Sequence, residues 1–235
     1  MAGPHEVLGM ARLLGISTTD FLALHTEHGG TALRFDGDGH CVFLRSDSGC
    51  GVHPRRPLVC RLYPLGRETD GAGDEKFARH PKEAGCQGEF GTDGTIADFL
   101  ASQGVAPYIE WSGRYGELFR RMIGLLDRFD IQAKVEARGV GGPGEGSGAG
   151  ATAEGGEDAS GAAEEAGRAP LSSWQDIDAS LAEYCAAKGL AVPEEIEAAI
   201  EIHLRAMAEW LDDLEAKASG GPAGEDEKDE GERRE

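Results

Sequence analysis

Cys41-Val-Phe-Leu-Arg-Ser-Asp-Ser-Gly-Cys50-Gly-Val-His-Pro-Arg-Arg-Pro-Leu-Val-Cys60-Arg-Leu-Tyr63 gathers three of the chain's five cysteines, four arginines and two prolines into one short run. A hydrophobic core has no need of that mixture. Thiols set between turn-forming Gly and Pro, beside fixed positive charge, point to a metal site or to a group of reactive cysteines. The rest of the chain reads as the scaffold that holds this segment.

Upstream, Val7, Met10, Ala11 and Leu14 recur at helical spacing from Glu6 to Leu14, and Gly15 closes that helix. Ser17-Thr-Thr-Asp20 has the form of a capping box for a second helix, which would bury Phe21, Leu22 and Leu24 and end near Gly29-Gly30. Leu33 and Phe35 alternate with polar neighbours, and Asp36-Gly-Asp-Gly39 is a turn signal, so a β-hairpin is expected with Cys41 opening its second strand. Pro57 suits the first turn of a short helix over Leu58–Leu62 that carries Cys60, and Pro64 stops it.

Downstream, Gly66 to Glu89 is polar and Gly-containing, and reads as an irregular excursion that delivers Cys86 near its end. Thr92 or Asp93 caps a helix through Ile96, Phe99 and Leu100. Pro107 opens a longer one, whose stripe of Tyr108, Trp111, Tyr115, Leu118, Phe119, Met122, Leu125, Leu126 and Phe129 predicts a core helix under the hairpin and the cysteine segment. Residues 139–170 are nearly all Gly, Ala, Ser and Glu, the composition of a flexible linker. Two amphipathic patterns follow, one through Trp174, Ile177, Leu181, Tyr184 and Cys185. The other runs through Ile196, Ile200, Leu204, Met207, Leu211 and Leu214, with Pro193 at its first turn.

The predicted class is therefore mainly α, with a small β-hairpin and irregular cysteine-rich loops. It divides into a small α+β metal-binding domain over 1–138, the linker 139–170, a helical hairpin over 171–217 and a disordered charged tail over 218–235. The hairpin is marginal by size on its own and needs the main domain or a protein partner to dock against.

Charge and composition narrow the function. The formal net charge is −20, shared unevenly: residues 1–138 hold 16 basic and 19 acidic side chains, residues 139–235 hold 7 and 24. An acidic half of that kind repels phosphate and excludes non-specific nucleic-acid binding. No apolar run approaches the ~18 residues of a membrane span. A cytoplasmic protein is expected, and in a reducing compartment clustered cysteine reads as metal-binding or catalytic rather than disulfide-forming.

Cys41, Cys50, Cys60 and Cys86 are the candidate ligands, separated by eight, nine and twenty-five residues. None of these gaps is a C-x₂-C knuckle, so context carries the reading: each thiol sits at an element boundary or in a turn. Arg56 and Arg61, among five arginines nearby, are the candidate electrostatic support, since positive charge offsets a tetrathiolate. Zinc and an iron–sulfur cluster both accept four thiolates and stay undecided. His53 is a reserve ligand, and Cys185 reads as a small buried apolar residue. The competing reading makes the cysteines ordinary thiols and the arginines a surface network. No phosphate loop, zinc-protease helix or nucleophile elbow is present, so a metal-binding protein, an Fe–S-dependent enzyme and an interaction module with an acidic helical hairpin all remain open.

Cys41, Phe43, Leu44, Cys50, Val52, His53, Arg56, Pro57, Cys60, Arg61, Tyr63 and Pro64 together resemble the signature of the YkgJ-type cysteine-cluster proteins, the CxxCxxCC family of zinc- or iron-chelating domains. The resemblance spans about residues 4–125. It implies a small cytoplasmic domain with a cysteine-bound Zn or Fe–S centre and, in some members, a link to protein methylation or redox chemistry. It also implies a CxxCxxCC run ahead of the Glu6–Leu14 helix. No cysteine precedes Cys41, so either Met1 is internal to a longer reading frame, the preferred expectation, or half the cluster has been lost.

Overall fold

The computed structural model describes residues 2–47, 49–70, 74–81, 89, 91, 93–139 and 174–219, with residues 130–139 and 219 described by their backbone alone. The expected linker and tail, from 140 and from 220 onward, lie outside the described residues, as does Cys86. What is described is mainly helical, with three small two-stranded sheets.

Helix α1 runs Pro4–Leu14 and ends at Gly15, whose left-handed φ of 68° lets its N–H reach back to the carbonyl of Arg12. Ser17 then caps α2, Thr18–His25, its hydroxyl accepting from the Asp20 N–H. The helix stops at His25 rather than near Gly29-Gly30, because Thr26 is extended and starts a strand. That strand, β1 (Thr26–Glu27), pairs antiparallel with β2 (Ala32–Leu33). The predicted hairpin is thus redistributed. Leu33 pairs with Thr26, and the Asp36–Gly39 turn leads to a single bridge between Phe35 and Cys41. Strand β3 (Leu44–Arg45) turns back onto β4 (Gly49–Cys50).

After a 3₁₀ turn at His53–Arg55 comes α3, Leu58–Leu62, where the proline pattern placed it. The region expected to be irregular instead holds a regular hairpin, β5 (Leu65–Thr69) with β6 (Glu75–Arg79), clasped by Arg67 and Glu75 across the strands. Helix α4, Ile96–Ser102, is capped not by Thr92 or Asp93 but by Thr95, which forms a full capping box with Asp98. Helix α5 covers Ala106–Gly139, α6 covers Ile177–Lys188, and α7 covers Ile196–Ser219, starting three residues beyond Pro193.

The largest apolar cluster joins α5, α6 and α7: Tyr115, Met122, Leu125, Trp174, Ile177, Leu181, Ile200, Leu204 and Leu211, with Leu8 of α1. The α6–α7 hairpin docks on α5, so the main partner of α5 is this hairpin and not the cysteine segment. Phe119 and Leu126 stand 42% and 46% exposed, which makes the buried stripe of α5 narrower than its sequence suggests. Arg114 meets Glu201, and Arg121 meets Asp212 and Glu215, so part of the acidic face of α7 is paired with α5. At the other end Asp176 and Asp178 accept from Thr18, Thr19 and Arg12, fastening the start of α6 to α1 and α2. Among the described residues no single helix is long and apolar enough to cross a membrane.

Candidate metal centre

The second apolar cluster lies where α1 and α2 meet the cysteine segment: Val7, Met10, Ala11, Phe21, Phe43 and Val52, with Cys41 and Cys50 half-buried against it. Phe43 is the anchor. It stacks on Phe21 at 5.8 Å and leans on the His25 ring at 4.9 Å, so the backbone on either side of it is fixed. Two residues before the anchor, Cys41 is held by the bridge to Phe35. The turn leading to it is tied by the Asp36 carboxylate, which accepts from the N–H of Asp38 and of His40.

Cys50 faces Leu44 across β3 and β4. Gly49 makes this turn possible with a φ of 75°, and Gly51 donates to the Phe43 carbonyl at 2.8 Å. The Arg45 guanidinium lies against Gly51; a Cβ there would stand 2.9 Å from Arg45 Nε. A positive group is therefore one residue from Cys50.

Cys60 rides on α3, whose apolar side buries Leu58 and Leu62 beside Val105 and Tyr108. Two distant groups set the pose of this short helix. The buried Glu6 carboxylate, on α1, accepts from the Leu58 N–H at the start of α3 and from the Gly3 N–H at 2.7 Å. Burial raises its pKa while those two donors oppose the shift. Arg61 lies 4.3 Å over the Tyr108 ring and donates to the carbonyls of Pro54, Arg56 and Gln103. Its charge ties α3 to the preceding loop and to the end of α4. Arg56 donates to Gln103 and to His53 Nε2, which commits that ring nitrogen.

The three described thiols of the segment are free and come from three separate elements. Cys41 and Cys50 both lie near enough to influence Cys60. The Cys60 thiol is pushed above its ordinary pKa first by the protein packed around it, then by Cys41, Cys50 and Glu6, with Arg56 opposing. Three free thiols of this kind are a donor set that fits zinc or an iron–sulfur cluster. The sulfurs are not yet closed around a centre: among the described residues, the group with all ligand atoms within 4.8 Å of one another is Asp36, Asp38 and His40. Those three are exposed and engaged in shaping their own turn. Cys185 is buried in the helical core, as its setting in the sequence suggests.

Sequence reasoning passed over Glu6, His5 and Gln103. A glutamate in the first turn of a helix is ordinary, and nothing local announces that it reaches a backbone N–H 52 residues further on. Pro4-His5-Glu6 offered only the helix start as a signal.

Comparison with known families gives one match: a family model described as "CxxCxxCC: Putative zinc- or iron-chelating domain" covers residues 10–86, about a third of the chain. All four candidate cysteines fall inside it. No curated protein and no solved structure matches the chain.

Proposed function

We propose, from the match of residues 10–86 to the model of a zinc- or iron-chelating domain, that the chain binds one zinc ion or one iron–sulfur cluster through Cys41, Cys50, Cys60 and Cys86. The observation that carries the reading is that a bridge, a hairpin and a helix deliver three free thiols to one side of the cluster around Phe43, Cys41 and Cys50 half-buried against it and Cys60 within their electrostatic reach. Zinc at such a site would brace the loops as a structural ion, whereas a cluster would add electron transfer. The chain's own part is positional. Phe43 fixes the Cys41 and Cys50 loops, Glu6 and Arg61 fix α3, and Arg56 places positive charge beside Cys60. A cytoplasmic setting, where thiols stay reduced, suits this use of free cysteine.

An enzyme built on an Fe–S centre and a partner-binding role for residues 171–217 are weaker readings. The second loses support because the apolar face of the helical hairpin is already buried on α5.

Anaerobic purification with metal and acid-labile sulfide analysis tests the proposal. About one zinc, or a full cluster with matching sulfide, is expected per chain, with most of it lost in Cys60→Ser; less than about 0.2 equivalents of any metal would overturn it. A colourless sample selects zinc, a brown one the cluster.

A further inference from the structure

The helix that carries Cys60 also walls a second feature. Leu58 and Leu62 of α3, the N-terminal turn of α1, one face of α5 and the Trp174-Gln175 pair line a half-open, mostly apolar cavity of about 600 Å³. That size is in the range of small-molecule sites, roughly 300–1,000 Å³. Its walls are rich in aromatic rings: Tyr115, Phe119 and Trp174 line it, the last two edge to face at 6.0 Å.

Two buried polar side chains line it without being satisfied. His5 is 3% exposed and stacked on Tyr115 at 5.6 Å, and neither of its ring nitrogens has a hydrogen-bond partner among the described residues. Gln175 is 5% exposed; its Nε2 donates to the Ala2 carbonyl at 3.5 Å, while its Oε1 has no partner. Buried polar atoms of this kind are normally paired, with protein, water or ligand. Burial holds His5 neutral at physiological pH, so it offers one donor and one acceptor. The charged groups at the wall are already engaged: both Glu6 oxygens accept backbone N–H groups, and Arg67 is clasped to Glu75. Among the described residues, the carboxylate and the guanidinium at the wall are thus both committed.

We propose that this cavity binds a neutral, planar aromatic or heteroaromatic molecule bearing an amide-like edge, with a donor for Gln175 Oε1 and a hydrogen-bonding atom for His5. The rings of Tyr115, Phe119 and Trp174 supply the apolar faces, and the two unpaired side chains supply orientation. No cysteine is among the described residues that line it.

Three probes sharing one ring system test this on the full chain by ligand-observed NMR titration: 2-naphthamide, naphthalene and 2-naphthoate. The amide is expected to bind about tenfold tighter than either of the others. Gly116, on the cavity wall, has no atom within 4 Å of where its Cβ would stand, so Gly116→Leu fills the space while favouring the helix. Gly116→Leu is expected to abolish amide binding, and Gln175→Leu to bring the amide down to the naphthalene level. Equal binding of all three probes, undiminished binding to Gly116→Leu, or no binding of the amide at about 1 mM would overturn the proposal; the last result would assign His5 and Gln175 to water. Far-ultraviolet circular dichroism of the same samples reports folding whether or not metal is bound.

Discussion

The two apolar clusters of this protein hold their parts by different means. The α5–α6–α7 cluster is a repetitive packing of Leu, Ile and aromatic side chains between long helices, and its stability is area removed from water. The cluster beneath the cysteines is smaller, and the strands above it are two residues long. Such strands have almost no ladder of their own. Shape there depends on single side chains reaching backbone groups: Glu6 to Leu58, Arg61 to three carbonyls, Asp36 to its own turn. A helical core tolerates the loss of one contact better than a site in which each contact has its own task.

Acid should produce the largest effect, and it acts on the helical side. His203, buried between α7 and α5 and bonded to the Tyr115 hydroxyl at 2.9 Å, and His5 both have pKa values lowered to about 4 by burial, with Asp176 opposing the shift at His203. The unfolded chain takes up these protons near pH 6.5, the folded chain only near 4. Between those values the unfolded state carries more protons, so stability falls as pH falls, by roughly 3 kcal/mol for each histidine. Denaturant melts at pH 7.5, 6, 5 and 4.5 should show the decline; a flat profile across that window would contradict the burial of both rings.

Core truncations sharpen the contrast next. Phe21→Ala should cost about 3–5 kcal/mol and release metal, since Phe21 backs the Phe43 anchor. Ile200→Ala, in the helical cluster, should cost about 2–5 kcal/mol while the folded molecules keep their metal. Metal analysis across a thermal series separates the two; equal metal loss at equal stability would erase the distinction between the clusters.

Arg61→Lys keeps the charge but loses the planar fork, so it should cost about 2 kcal/mol and lower metal retention. No change in either readout would remove Arg61 from the account. Smallest of all, Arg114→Ala should change the melting free energy by less than about 1 kcal/mol, because the Arg114–Glu201 pair lies at the surface. A larger loss would mean that ion pairs, and not apolar area, seat α7 on α5.

This division also governs what the sequence could disclose. Helices α1, α2, α5, α6 and α7 follow from apolar periodicity and from Gly15, Ser17 and Pro107, because burial along a helix repeats every three or four residues. The β5–β6 hairpin stayed hidden because its strands are mostly charged or small, and its apolar members Leu65 and Phe77 are too few to show an alternation. The redistribution of the first hairpin was equally illegible: two-residue strands leave no pattern, and Leu33 pairs with Thr26 while Phe35 bridges to Cys41. Of the candidate site, the cysteines themselves could be read, since their setting among Gly, Pro and Arg is local. The groups that aim them could not, because Glu6 and Gln103 act across roughly fifty residues of chain. Thr95 shows the same limit at short range, as three possible caps lay within four residues and only the turn geometry chose among them.

The account rests on sulfur from Cys41, Cys50 and Cys60 meeting at one centre. X-ray absorption at the metal edge of the anaerobically purified full chain tests this most directly. It predicts a shell of at least three sulfurs at about 2.3 Å, reduced in the Cys60→Ser variant. A shell made only of nitrogen and oxygen, or a sulfur count that ignores Cys60→Ser, would contradict it.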